Sequence, residues 1–330
     1  MTDSTDHSVA DSFDLVLGCD DRFSIGLGVM LYSVLKHLQP GMPARVFILD
    51  DGISPENRER IERIAAPRVA DGCVWLKPQL PEGDHLKGKG KISKATYSRI
   101  LIPHLLPADV KRAVFVDVDM LCCRDLGTLA TMPLDGNALL AVQDYRYPTL
   151  RHTLPKQEVL DRLERDGDAP YFNGGFLVFD MESWRQDDLP DQVFKALHDV
   201  RDDTFFVNQD GLNIALQGKW KQLAPSYNVQ ENTLRRPEKL PDHPYTQQLI
   251  RDTSRLLSEP GVYHYTGHSK PWTDAVTGKL RGRWASFLAE SDYFSTGELY
   301  AFRAGWASRV AKRVLSHGPA AVGKKLRRAG

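Results

Sequence analysis

Asp117 and Asp119 stand two residues apart at the end of Arg112-Ala113-Val114-Phe115-Val116, a short run rich in β-branched and aromatic side chains. Such a run reads as a buried strand, and residues two apart on a strand share a face. The two carboxylates therefore lie side by side where the chain leaves the core. Adjacent carboxylates repel each other and are costly to bury alone. A divalent cation relieves both costs, and hard oxygen ligands suit Mn²⁺ or Mg²⁺. Asp-x-Asp by itself is also what a strand-capping turn looks like. Further along, Tyr263-His264-Tyr265-Thr266-Gly267-His268-Ser269-Lys270-Pro271-Trp272 adds an imidazole able to complete a carboxylate metal site. It also adds a lysine suited to a phosphate. Taken singly, His264 reads as a packed histidine and Lys270 as a surface charge. Taken with the carboxylate pair, they suggest a metal–diphosphate site.

The elements that must position these groups alternate. Phe13 to Cys19 reads as a strand running into the acidic turn Asp20-Asp21, and Ile25 to Leu38 as a helix stopped by Gln39-Pro40-Gly41. Arg45 to Leu49 is a second strand. Ser54-Pro55 opens a second helix with a cap residue and Pro at its first position, and Val74 to Leu76 is a third strand. This alternation predicts a parallel sheet flanked by helices, in which ligands bind at the carboxyl ends of strands. Asp20 and the Asp117–Asp119 pair fall at such ends. Gly26-Leu27-Gly28 lies inside the first helix, away from the strand-to-turn position of a dinucleotide fingerprint. The segment 83–91, rich in glycine and lysine, reads as a surface loop or a phosphate loop. Thr96 to Ile102 is predicted helical up to Pro103, and Ala138 to Val142 is a strand ending in Gln143-Asp144. Tyr145 to Ala169 is polar and irregular. In Tyr171-Phe172-Asn173-Gly174-Gly175, two glycines at a strand entrance permit close backbone approach. Trp184 to Val200 and the stretch from Asn208-Gln209-Asp210 to Leu216 carry helical patterns.

At 330 residues the chain is long enough for one large domain or two small ones. Its 43 basic and 43 acidic residues balance, so no global field points to nucleic acid. Cys19, Cys73, Cys122 and Cys123 contain no Cys-x-x-Cys pair, which argues against a zinc site and for reduced thiols. The N-terminus lacks a signal-peptide pattern and no apolar run is long enough to span a bilayer, so the expectation is a cytoplasmic protein. Residues 1–12 read as a disordered tail, 13–290 as the main domain, and 291–330 as a basic helical segment. In the last, Leu299, Phe302, Trp306, Val310 and Val314 recur at helical spacing beside Arg303, Arg309, Lys312 and Arg313, with a second basic cluster from Lys324 to Arg328. The pattern fits a peripheral helix meeting an anionic membrane through residues 299–328. The second basic cluster favours the membrane surface over the alternative, a helix packed on the domain with a solvated basic face.

In this order, the pieces resemble glycosyltransferase family 8, the retaining enzymes with a GT-A fold, and in particular the bacterial lipopolysaccharide galactosyl- and glucosyltransferases. The resemblance rests on Asp20-Asp21, strand plus Asp-x-Asp, Phe-Asn-Gly-Gly, Asn-Gln-Asp and His-x-x-Gly-x-x-Lys-Pro-Trp, and runs from about Phe13 to Trp272. It implies a Rossmann-like mixed, mostly parallel sheet flanked by helices. It implies a metal-dependent transfer of galactose or glucose from a UDP-sugar to a glycan, either lipopolysaccharide or another cell-surface saccharide, which could be lipid-linked. Asp117, Asp119 and His264 would hold Mn²⁺ (or Mg²⁺), with Val118 between them. Gly267 and Lys270 would meet the phosphates, and Gly18, Asp20 and Phe23 the uridine. Arg99, Asp144, Asn173 and Gln209 would surround the donor sugar. Three departures stand out: Asn208 occupies a position where the galactosyltransferases carry an acid, Arg22 one where Asn is common, and Gly175 one where Ala is common. The alternatives are a non-catalytic sugar-nucleotide-binding protein and a phosphohydrolase built on Asp117 and Asp119.

Overall fold

A computed structural model describes residues 12–81, 95–267, 270–273 and 279–317, with the side chains of 95, 279–280 and 310–317 left aside. The tail at 1–11, the loop at 83–91 and the basic cluster at 324–328 lie outside the described residues. Among the described residues, ten strands build two sheets. They are β1 (Phe13–Cys19), β2 (Ala44–Asp50), β3 (Cys73–Leu76), β4 (Arg112–Val116), β5 (Met120–Cys122), β6 (Leu139–Gln143), β7 (Phe172–Asp180), β8 (Trp220–Gln222), β9 (Val229–Gln230) and β10 (Val262–His264). The larger sheet runs β3-β2-β1-β4-β7-β6-β8 and the smaller β5-β10-β9.

The large sheet is buried on both faces, which is why its central strands are nearly continuous apolar runs rather than alternating ones. Leu15, Leu17, Val114 and Val116 join one core, while Val16, Ala113 and Phe115 join the core on the opposite face. Its pairs are parallel except around β7, which lies antiparallel to both β4 and β6. That reversal places the start of β7 on the same sheet edge as the ends of β1, β4 and β6. The β6–β7 register is irregular there, since Ala141 pairs with Leu177 but Val142 pairs with Asn173. The extra β7 residues, Gly174 to Phe176, lie at the edge of the candidate site, unpaired with β6 while Phe176 stays paired with Val116 of β4.

Local details depart from the sequence-based reading. The helical path from Ala95 continues as a 3₁₀ turn over Arg99–Leu101 and a further turn over Ile102–Leu105. Pro103 sits in the first turn of that last piece, where its missing N–H costs nothing. The run from Trp184 to Val200 is two helices, Met181–Gln186 and Leu189–Asp199. They break at Asp188, which adopts a left-handed conformation with φ 53° ahead of Pro190. The polar stretch after Tyr145 contains a short helix, Gln157–Leu163. Gly26 and Gly28 lie within the first helix, Ser24–His37, in tight packing. A Cβ on Gly26 would sit 2.8 Å from the carbonyl oxygen of Val118.

At the other end, Tyr293 is 1% exposed and its hydroxyl lies 3.0 Å from Ser24 Oγ and 2.8 Å from Asn57 Oδ1. In the final helix, Thr296–His317, Leu299 and Phe302 pack against the main core, so its first turns lie on the domain. Among the described residues no helix is long and apolar enough to cross a membrane. The four cysteines are free thiols.

Candidate active site

The smaller sheet explains how residues 119 and 264 meet. β10 pairs antiparallel with β5 so that His264 faces Met120, and the N–H of Tyr265 donates to the carbonyl of Asp119 at 2.9 Å. The turn between β4 and β5 is fixed in turn by the N–H of Asp117, which donates to Gly175 O at 2.8 Å on β7. Asp117, Asp119 and His264 thus converge, each offering one ligand atom, with those atoms all within 4.8 Å of one another. Two carboxylates and an imidazole are a donor set that fits Mn²⁺ or Mg²⁺.

Cations of the protein already attend both carboxylates. Arg99 Nη2 donates to Asp117 Oδ1 at 2.8 Å, and its Nη1 donates to the carbonyl of Gly174. The Arg99 guanidinium also lies 4.6 Å from the centre of the Phe115 ring. Lys270 Nζ pairs with Asp119 Oδ2 and donates to Tyr265 O at 3.0 Å, while His264 Nε2 lies 3.3 Å from Asp119 Oδ1. Burial pushes the Asp119 carboxyl up, but the neighbouring His264 and Lys270 outweigh it and hold it well below the usual carboxylate range.

The residues expected around a donor sugar gather on the same edge. Asn173 Nδ2 donates to Asp144 Oδ2 at 2.9 Å, and the backbone N–H groups of Arg146 and Tyr147 donate to Asp144 Oδ1, both at 2.9 Å. Burial raises the Asp144 carboxyl above its usual range despite these bonds. Gln209 Oε1 accepts from the N–H of Gly174 at 2.8 Å. It rides on the helix Val207–Ala215, whose entrance is tied down by Asp210. The Asp210 carboxylate accepts from Tyr171 Oη and Thr204 Oγ1, both at 2.6 Å, and from the N–H groups of Phe205 and Phe206 at 2.8 and 2.7 Å. Asn208 donates to the carbonyl of Thr96 at 3.1 Å, the oxygen to which Arg99 Nε also donates at 3.2 Å.

Gly18, Asp20 and Phe23 occupy the end of β1 and the turn after it. Gly18 has a packing reason to be glycine, because a Cβ there would stand 2.8 Å from that of Leu49. Asp20 caps the turn Asp21–Phe23 and pairs with Arg22 at 2.6 Å. Phe23 meets Trp272 edge-on, with ring centres 5.7 Å apart. Gly267 is exposed with φ 86°, a conformation that suits glycine. One residue at the centre of this arrangement carried no sequence signal of its own. Asn228 is fully buried and bonds both His264 and Asn173. Its sole mark is an amide set between Tyr227 and Val229, where a side chain entering the core must find polar partners.

A mostly parallel sheet with one reversed strand, and a carboxylate pair plus imidazole at its carboxyl edge, defines the GT-A class of glycosyltransferase. The sequence pattern described as "Glycosyl transferase family 8" matches residues 14–275. The chain belongs to glycosyl transferase family 8, and in class it is a retaining hexosyltransferase. It is 25% identical over 86% of its length to general stress protein A of Bacillus subtilis, spanning 95% of that protein. It is 24% identical over 81% of its length to the lipopolysaccharide 1,3-galactosyltransferase of Salmonella typhimurium, spanning 74% of that protein. Among solved structures it resembles the galactosyltransferase LgtC, captured with donor and acceptor sugar analogues. The TM-score is 0.68 at 23% identity, covering 86% of this chain and 98% of that one.

Proposed function

We propose that the protein is a metal-dependent glycosyltransferase that moves galactose or glucose from a UDP-sugar to a saccharide acceptor, with retention at the anomeric carbon. The observation that carries this reading is the convergence of Asp117, Asp119 and His264 within 4.8 Å at the sheet edge of a family 8 chain. In this reading those three residues hold Mn²⁺ or Mg²⁺. The bound cation offsets the negative charge that grows on the departing diphosphate. Lys270, with Nζ already beside Asp119, serves the same charge from the protein side, and Gly267 offers backbone without a side chain. Gly18, Asp20 and Phe23 take the uridine, alongside Val118 between the two metal-binding carboxylates.

Arg99, Asp144, Asn173 and Gln209 line the donor sugar. Arg99 fixes Asp117 and the Gly174 carbonyl together, so the sugar end and the phosphate end of the site are held as one rigid unit. Gln209 is an amide and a poor nucleophile. Attack by the acceptor hydroxyl on the face from which the diphosphate leaves then accounts for retention, with a leaving-phosphate oxygen taking the proton. The acceptor in this reading is lipopolysaccharide or another cell-surface glycan assembled in the cytoplasm. The exposed Arg303 and Arg309 support an approach to an anionic membrane surface.

The test is UDP release from a panel of UDP-sugars with Mn²⁺, comparing the wild type with Asp119→Asn. Turnover of one sugar, abolished by EDTA and by the substitution, is the expected result. A protein that binds no UDP in the presence of Mn²⁺ would overturn the reading.

A further inference from the structure

His264 does not stand alone behind its carboxylates. Its Nδ1 lies 3.0 Å from Asn228 Oδ1, Asn228 Nδ2 lies 2.8 Å from Asn173 Oδ1, and Asn173 Nδ2 lies 2.9 Å from Asp144 Oδ2. Asn228 is 0% exposed, so its amide has no recourse to solvent. The chain has a fixed direction, because backbone N–H groups, which can only donate, pin the Asn173 oxygen and the Asp144 carboxylate. The N–H of Gly175 donates to Asn173 Oδ1 at 3.1 Å, which makes that atom the oxygen and leaves Asn173 Nδ2 to face Asp144. The N–H groups of Arg146 and Tyr147 hold the Asp144 carboxylate as an acceptor. With Asn173 Oδ1 accepting, the Asn228 group facing it must be its NH₂, so the Asn228 oxygen faces His264. Nδ1 of His264 must then carry a proton and donate it, which turns Nε2, the nitrogen beside Asp119, toward the carboxylate pair as the ligand atom.

We propose that Asn228 is the positioning residue of the metal site: it sets the imidazole tautomer and ring orientation of His264 and couples them to Asn173 and Asp144 at the sugar end. A hydrogen bond to the non-ligating nitrogen is the general means by which a metal-binding histidine is held in register. Here that bond comes from an amide whose own orientation is dictated by the peptide plane at Gly175. The ligand histidine and the residues beside the donor sugar therefore belong to one polar unit. The inference rests on the reading of Asp117, Asp119 and His264 as metal ligands, and its test separates the two.

Two measurements on metal-free and Mn²⁺-titrated protein decide it. The first is the ¹⁵N spectrum of the histidine ring nitrogens, assigned through His264→Gln, in the wild type, Asn228→Leu and Asn228→Asp. The expected spectrum places the proton on Nδ1 in the wild type. The Asn228→Leu change removes the acceptor and should lose that tautomer; Asn228→Asp restores an acceptor and should keep it. The second is Mn²⁺ binding followed by electron paramagnetic resonance. The expectation is a fall of roughly 10–100-fold in affinity for Asn228→Leu, with partial rescue in Asn228→Asp, in variants whose circular dichroism matches the wild type. An unchanged tautomer in Asn228→Leu, or an Asn228→Asp variant no better than Asn228→Leu, overturns the role of Asn228. A wild type that binds no Mn²⁺ overturns the metal reading instead, while the tautomer measurement still decides for or against Asn228.

Discussion

Gly175 lies directly beneath His264: a Cβ built on it would stand 2.8 Å from His264 Cε1, and 2.9 Å from Asp117 Oδ2. Two of the three convergent ligand groups thus rest on a position with no room for a methyl. Gly174, one residue earlier, meets its neighbours at 3.5 Å or more, which is ordinary contact. Gly175→Ala should therefore weaken Mn²⁺ binding by at least about tenfold and cost about 1–3 kcal/mol of stability through overpacking. Gly174→Ala should do neither. Calorimetric Mn²⁺ titration and urea unfolding of the two variants check this, and equal behaviour of both would refute it.

Arg99 makes a forked contact that lysine cannot copy. One arm holds Asp117 and the other the Gly174 carbonyl, with the guanidinium over Phe115. A lysine brings one point charge and no plane. Arg99→Lys should lower kcat/KM by roughly 10–100-fold, on the scale of about 1.5–3 kcal/mol for a lost charge-assisted hydrogen bond. Steady-state kinetics with the preferred UDP-sugar test it, and a change within a factor of two would remove Arg99 from the site.

Asp210 distinguishes two substitutions. An asparagine can present its oxygen where Oδ2 now accepts from Thr204, Phe205 and Phe206, and its NH₂ to the Tyr171 hydroxyl, which can reverse its role. Alanine leaves all four donors unanswered in a fully buried place. Asp210→Ala should cost about 3 kcal/mol or more and displace Gln209, whereas Asp210→Asn should cost about 1 kcal/mol. Denaturant midpoints and kcat of the pair are the readout. Equal costs would mean that the donors find other partners.

The pH dependence of stability should carry the mark of Asp21. Its carboxylate accepts from the N–H of Ser54 and from Asn57 Nδ2, each at 2.8 Å, and the backbone bond to Ser54 is the leading cause that holds its pKa below the usual value. A group with a lowered folded pKa contributes fully above the unfolded value of about 3.9, and loses that contribution as pH falls through the folded value. Asp21→Asn keeps an oxygen acceptor and removes only the charge. The variant should be less stable by about 1 kcal/mol near neutrality, and the two proteins should converge toward the acid end. Urea midpoints measured from roughly pH 2 to pH 7 would settle the matter, and a gap constant across that range would refute it.

The parts of this site that were legible in the sequence are those whose signal is local. Ala113 to Val116 is apolar because β4 is covered on both faces, and the carboxylates that follow mark where the cover ends. The first two strand–helix steps read correctly for the same reason. The reversal of β7 did not show, since Phe176 to Phe179 would look the same in a strand of either direction. The smaller sheet was invisible because β5, β9 and β10 are two or three residues long, too short for any period to register. Asn228 went unnoticed because its role depends on residues 55 positions before it and 36 after it. The break at Asp188 follows from a left-handed residue that carries no glycine to announce it.

Tyr293 gives the molecule a late fastening. Its ring fills the space that Gly28 leaves open, and its hydroxyl reaches Ser24 and Asn57, more than two hundred residues away in sequence. Because the chain is synthesised from its N-terminus, the first helix leaves the ribosome long before the residue that seals it. Until position 293 emerges, the notch at Gly28 lacks its ring on a nascent chain whose sheet already has most of its strands. His264 precedes Tyr293 by only 29 residues, so the candidate site and this seam are both completed late in synthesis, and a chain ended between them would carry its candidate metal ligands on a fold that had never been closed.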